Sequence, residues 1–154
     1  MTYWRMFYNS NRAYVWWESL LILWWPYRLR FEVQQQSTGL WYSAEYWSFT
    51  IGDESNDQYR INTDGYSGDA EEGLHVTKND GNTYHDGMMF TTNDHNNDLH
   101  AFNCAGIYGS GWWYNKCFFV NLNSPGTYRK WTPFSFGYRV LSASRMMIKP
   151  QQLV

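Results

Sequence analysis

Runs of basic residues are missing from this chain. Its 12 Lys and Arg are scattered, and with 14 Asp and Glu they give a formal net charge of −2. No basic block is available to neutralise nucleic-acid phosphates. Long apolar runs are missing too. The stretch Leu20-Leu21-Ile22-Leu23-Trp24-Trp25 is too short to cross a bilayer. It is also a poor secretory leader, because it sits late, lacks a small-residue cleavage site and is bounded by Pro26. There is no internal repeat and no heptad pattern, which removes solenoids and coiled coils. No Asn-x-Ser/Thr acceptor is present, so glycosylation says nothing about the compartment. Cysteine is scarce. Cys104 and Cys117 alone leave two readings open, a pair of buried thiols or one disulfide.

Aromatic residues are abundant: 21% of the chain, with 10 Trp and 13 Tyr. Most should fill a core, and the remainder can offer stacking surfaces to sugars or proteins. At 154 residues the chain is one domain, long enough to bury a core of its own. Residues 1–25 fit neither helix nor strand periodicity. Arg28-Leu29-Arg30-Phe31-Glu32-Val33 alternates polar and apolar residues, as a half-buried strand does. Gln34 to Gly39 reads as a turn, and Leu40 to Ile51 as a second strand that forms a hairpin with the first. Tyr59 to Asn62 reads as a short third strand. From Thr63 onward Gly, Asp, Asn and Ser dominate, so regular structure should be sparse, with a long loop over Glu71 to Tyr84. Tyr138 to Lys149 returns as a closing strand near the centre of the sheet.

The segment around the cysteines carries the strongest motifs. It reads Asn103-Cys104-Ala105, Gly111-Trp112-Trp113-Tyr114, Cys117, then Asn121-Leu122-Asn123. Upstream lie Gly65-Tyr66-Ser67-Gly68-Asp69-Ala70 and Tyr84-His85-Asp86-Gly87-Met88-Met89-Phe90-Thr91-Thr92, and Met146-Met147-Ile148-Lys149-Pro150 lies downstream. In combination these motifs resemble the C-terminal fibrinogen-like domain found in fibrinogen, ficolins, tachylectins, angiopoietins and tenascins, over roughly Pro26 to Pro150.

The resemblance implies an α+β domain: a central mixed or antiparallel sheet (26–83), a loop-rich calcium and ligand part pinned by a disulfide (84–137), and a closing strand (138–150). Residues 1–25 would be a divergent or truncated stand-in for the family's first subdomain, whose own disulfide has no cysteines here. The resemblance further implies a Cys104–Cys117 disulfide, worth roughly 3 kcal/mol if unstrained, and a cis Lys116–Cys117 peptide bond. A Ca2+ site would use the side chains of Asn96 and Asp98 and the carbonyls of His100 and Phe102. Asn96 stands where the family usually has Asp, which lowers the charge and the affinity. The spacing excludes an EF-hand, since Leu99 occupies the glycine position and Ala105 the glutamate position.

The implied ligand pocket lies beside the disulfide and involves Ala105, Tyr108, Tyr114, Lys116, Cys117 and Phe118, with Phe119 adjacent. Phe118 replaces a usual His, which makes the wall more apolar. Ile107 and Tyr108 replace the Gln-Asp pair of the fibrin knob-binding hole, which argues against a cationic fibrin-type ligand. Trp112 and Trp113 read as structural. The segment Ser124 to Trp131 is shorter than its family counterpart.

Catalytic patterns are absent. Gly109-Ser110-Gly111 lacks the spacing of a nucleophile elbow. A Cys117 nucleophile would require a free thiol, the histidines match no zinc-finger spacing, and Asp53-Glu54 and Glu71-Glu72 read as solvated turn acids. The expectation is a secreted, non-catalytic recognition domain. It would bind an acetylated carbohydrate or similar surface ligand, as innate-defence lectins do, with Ca2+ as the one implied cofactor. The alternatives are a receptor- or matrix-binding protein module and a truncated paralogue that binds nothing. Neither nucleic acid nor membrane insertion is expected, and no leader or multimerisation stem is visible in this chain.

Overall fold

The computed structural model describes residues 5–7, 27–76, 83–133 and 140–151, the first of these as backbone only. The apolar run Leu20–Trp25 and most of 1–25 therefore lie outside the described residues. Among those described, no helix is long and apolar enough to cross a membrane.

Strand β2 (Tyr27–Gln35) alternates as its sequence demands. Tyr27, Leu29, Phe31, Val33 and Gln35 are buried on one face, and Arg28, Arg30, Glu32 and Gln34 are half-buried on the other. A turn over Gln36–Thr38 leads into β3 (Trp41–Ile51), which pairs antiparallel with β2, Phe31 facing Ala44 and Val33 facing Tyr42. A short helical turn, α1 (Glu54–Asp57), follows. Asp53 caps it by accepting the backbone N–H of Asn56 at 2.7 Å, so this acid is a cap rather than a free turn residue.

The third strand departs from expectation. Gln58 and Tyr59 take left-handed backbone angles (φ 47 and 55), and the strand begins only at Ile61. As β4 (Ile61–Gly68) it runs well into the Gly- and Asp-rich segment. The long partner β3 offers ladder hydrogen bonds along its length, and these outweigh weak local propensity. Gly68 makes the end of the pairing possible. Its φ is +135, and a Cβ there would lie 2.1 Å from the Ser43 carbonyl oxygen.

The closing strand is β7 (Leu141–Pro150), which lies inside the sheet between β2 and β1 (Arg5–Phe7), in the order β1-β7-β2-β3-β4. The start of the expected span, Tyr138 and Arg139, lies outside the described residues. The strand β1 was not foreseen; it pairs antiparallel with Met146–Ile148.

The buried sheet face packs against the loop-rich part. Phe31 meets Tyr46, Trp112 and Trp131 at ring-centroid distances of 6.1, 6.4 and 5.7 Å. Trp131 donates its indole N–H to the Ala70 carbonyl. A small second sheet, β5 (Val120–Asn121) with β6 (Lys130–Trp131), holds Trp131 in place. Trp112 and Trp113 are 0% and 1% exposed, which fixes their structural role.

Glu72 corrects the reading of Glu71-Glu72 as solvated. It accepts the Tyr46 hydroxyl at 2.6 Å and the Leu74 backbone N–H at 2.7 Å. These bonds and the neighbouring His75 outweigh burial and hold the carboxyl below its usual range.

Candidate functional site

The short helix α2 (Cys104–Tyr108) positions one wall. Asn103 caps its start by accepting the Gly106 N–H at 3.1 Å, and Gly109 ends it at φ 71, a left-handed angle that glycine adopts without penalty. Cys104, the first residue of α2, is joined to Cys117 with Cα atoms 5.6 Å apart. The Lys116–Cys117 peptide bond is cis. The implied disulfide and cis bond are therefore both present.

The residues assigned to the pocket converge. The Tyr108 ring lies 4.8 Å from Phe118 and 6.4 Å from Tyr114, and Phe118 lies 6.2 Å from Tyr114. Ala105 is buried beside them, whereas Lys116 is exposed. The sequence reading omitted Tyr128, whose ring stands 5.2 Å from Tyr108 and is 45% exposed. It lies in a 3-10 turn, Gly126–Tyr128, within the shortened segment. Only an aromatic in an irregular loop beside the disulfide marked it. Phe119 is buried, and its contribution is its backbone amide.

Two supports behind this cluster were also missed. The first is a buried polar network. The Tyr114 hydroxyl donates to the Ser110 carbonyl at 3.0 Å and accepts from Asn121 Nδ2 at 2.9 Å. Asn121 Nδ2 also donates to Ser124 Oγ at 2.7 Å, and Ser110 Oγ and Ser124 Oγ are 2.8 Å apart. The phenol oxygen is thus committed inward, and Tyr114, itself 0% exposed, backs the rings of Tyr108 and Phe118 from within the core. Burial raises its pKa despite the hydrogen bonds from Ser110, Ser124 and Asn121.

The second support is His85, fully buried. Its Nε2 lies 3.0 Å from both the Phe119 and the Val120 backbone N–H, which donate to it. Its Nδ1 is therefore the protonated nitrogen and donates to the Trp113 carbonyl at 2.8 Å. One imidazole ties together both ends of the segment that carries Tyr114, Cys117 and Phe118. Burial pushes its pKa down to about 4, so the ring is neutral at pH 7. Its position within the Tyr-His-Asp-Gly motif was the available signal.

The implied calcium residues sit in a tight irregular loop. Asp98 accepts the His100 N–H at 2.9 Å and the Cys104 N–H at 2.9 Å, and Asn96 Oδ1 accepts the Asp98 N–H at 3.1 Å. His100 Nδ1 lies 3.1 Å from the Phe102 nitrogen and 3.2 Å from its carbonyl oxygen. The amide hydrogen has a fixed position, so Nδ1 is the acceptor and the carbonyl remains open to a cation. The donor set is one carboxylate, one amide and two carbonyls. It has the oxygen chemistry of a hard cation but needs water to reach the usual six or so ligands, so these residues fit Ca2+ with reduced charge. His100 also lies within 4.8 Å of both cysteine sulfurs, but those sulfurs are bonded to each other and offer no thiolate to a soft metal.

Comparison with known proteins agrees with this geometry. The chain matches the family described as fibrinogen beta and gamma chains, C-terminal globular domain, over residues 18–150. It is 39% identical to the human fibrinogen gamma chain over 116 residues, covering 68% of this chain and 25% of that protein. It is 37% identical to mouse angiopoietin-related protein 1 over 135 residues, covering 80% of this chain and 26% of that protein. Among solved structures, the fibrinogen-like globe domain of human ANGPTL6 superposes with a TM-score of 0.70 at 28% identity, covering 84% of this chain and 59% of that one. Lamprey fibrin D-dimer, solved with the peptide Gly-His-Arg-Pro-amide, gives 0.68 at 26% identity, covering 84% of this chain and 48% of that one. The chain thus spans about a quarter of the length of these curated relatives. By its motifs, its disulfide-pinned site and these matches, the chain belongs to the fibrinogen C-terminal globular domain family.

Proposed function

We propose that this chain is a non-catalytic extracellular recognition domain that binds an acetylated carbohydrate at the ring cluster beside Cys104–Cys117. One observation carries the reading: Tyr108, Tyr114, Phe118 and Tyr128 converge at 4.8 to 6.4 Å next to the disulfide. A neutral aromatic wall suits a small apolar group such as an acetyl methyl, and the partly exposed rings of Tyr108 and Tyr128, backed by the buried Tyr114, suit a sugar ring. The disulfide supports an oxidising compartment. The side chains of Asn96 and Asp98 and the carbonyls of His100 and Phe102 would hold Ca2+, which would stiffen the loop entering α2. The test is retention of oxidised protein on an N-acetylated resin in Ca2+ and then in EDTA. Retention reversed by free acetylated sugar supports the reading. Failure of a folded sample to bind in either condition sinks it.

A second reading is a protein partner, of the kind expected for angiopoietin- or tenascin-type relatives. It is favoured by the apolar side chains exposed around the same loops: Leu99, Phe102 and Ile107 at 57%, 69% and 48%. Exposed apolar patches mark protein contacts. Competition by free sugar separates the two readings.

A further inference from the structure

Reduction would uncover a second chemistry beside the ring cluster. A ring nitrogen of His100 and the sulfurs of Cys104 and Cys117 all lie within 4.8 Å of one another. Tetrahedral Zn2+, with Zn–S near 2.3 Å and Zn–N near 2.0 Å, sets such ligand atoms roughly 3.5–3.8 Å apart. A small side-chain rotation at each residue covers the difference. The backbones of all three residues are held by bonds that do not involve the sulfurs. Asp98 accepts the His100 and Cys104 N–H groups, each at 2.9 Å, and the Cys117 carbonyl accepts the Asn115 N–H at 2.8 Å. Cys104 also opens α2, whose Asn103 cap is independent of the disulfide. His100 Nδ1 accepts the Phe102 N–H at 3.1 Å, which leaves Nε2 for a metal. Both cysteines are buried and His100 is half-buried, so an ion held by the three would sit at the edge of the surface, within reach of water.

From this convergence we propose a redox-gated metal site: once Cys104–Cys117 is reduced, its two thiolates and the His100 imidazole bind one Zn2+, with water as the fourth ligand. The reductant is a thiol or dithiol. Its two sulfurs are oxidised to a disulfide while Cys104 and Cys117 take up two electrons and two protons. Zn2+ then displaces both thiol protons to solvent, and no further electron moves. Two thiolates cancel the charge of the ion, and a sulfur-and-nitrogen ligand set selects Zn2+ over the hard Ca2+. The site uses the His100 ring and leaves its carbonyl to the proposed Ca2+ loop. The ion would replace the covalent bond as the clasp between α2 and the segment that carries Phe118, so the ring cluster survives reduction wherever Zn2+ is present.

The experiment reduces the intact chain with a phosphine in Ca2+-free buffer and titrates it with Zn2+, following bound metal per chain and near-ultraviolet circular dichroism. Reduced protein should bind one Zn2+ and keep, or regain, the dichroism of the oxidised form. Its melting temperature should rise with Zn2+, and that of the oxidised protein should not. His100→Ala should weaken binding by more than the roughly 10- to 100-fold that loss of an outer-shell partner costs. The double variant Cys104→Ser, Cys117→Ser should abolish it. Oxidised His100→Ala protein, which needs no metal to fold, checks that the substitution leaves the fold intact. Reduced protein that binds no Zn2+, or binds it equally well as His100→Ala, overturns the proposal. Binding without native dichroism overturns it too, because that is chelation by an unfolded chain.

Discussion

His85 makes three backbone hydrogen bonds with one ring, to Trp113, Phe119 and Val120. Replacing it with Ala would strand three buried backbone groups. The His85→Ala variant should lose about 3 kcal/mol or more in urea unfolding at pH 7. Protonation does similar damage, because an imidazolium cannot accept at Nε2. The folded pKa of about 4 lies below the usual 6.5 of an imidazole. The unfolded chain therefore binds the extra proton first, and stability contributed by this ring is lost as pH falls from about 6.5 to 4. Urea midpoints measured across that range should drop. Tyr114→Phe tests the neighbouring network. It removes a buried acceptor from Asn121 and should cost about 1–2 kcal/mol, while the buried ring that backs Tyr108 and Phe118 remains.

Among the elements, the clearest dependence is on the covalent loop. Reducing Cys104–Cys117, which closes a loop of sequence separation 13, should cost roughly 3 kcal/mol by relaxing the unfolded chain's constraint. Thermal melts with and without reductant measure it. Gly68→Ala should destabilise β4 by about 2 kcal/mol or more, since φ +135 and the Ser43 carbonyl both reject a Cβ. These elements differed in how much the sequence revealed. Strand β2 was legible because one face is buried and its residues alternate. The disulfide, the cis bond and the Tyr108–Tyr114–Phe118 grouping followed from motif resemblance, which carries spatial information that no periodicity holds. The true span of β4 was hidden, because its glycines and aspartates disfavour strands and only the partner β3 makes the pairing worthwhile. Tyr128, His85 and the Ser110–Asn121–Ser124 network were hidden for a related reason. Their roles depend on contacts between segments that sequence spacing does not bring together.

At the scale of the molecule, two histidines oppose each other in pH dependence. His75 faces Glu72 Oε2 with Nδ1 at 2.6 Å and the Thr63 carbonyl with Nε2 at 3.0 Å, an arrangement of acceptors that favours the protonated ring. Burial lowers its pKa, but the bonds to Glu72 and Thr63 and the charges of Glu72 and Asp86 outweigh it and raise the value. Stability from this ring is fully present below the unfolded pKa and is lost as pH rises through the raised one. With His85 acting on the acid side, the melting temperature should pass through a maximum near neutrality. Glu72→Gln should flatten the alkaline limb by releasing His75, and should also alter the acid limb, because it removes a carboxyl whose pKa is held low. The proposed Ca2+ site would act on the same global observable. Addition of Ca2+ should raise the melting temperature modestly, and Asn96→Asp should enlarge that rise by restoring a charge.

The placement of β7 bears on how the chain is made. Strand β2 lies between β3, its immediate neighbour in sequence, and β7, whose Ser142 hydroxyl reaches the Gln34 backbone across 108 residues. As the polypeptide leaves the ribosome, β2 and β3 can pair at once, but the other edge of β2 waits for β7. Until β7 emerges, an edge rich in aromatic and apolar side chains has open backbone groups, the condition under which strands pair with the wrong neighbour. A messenger cut short anywhere before β7 would therefore yield an aggregating product rather than a smaller working domain.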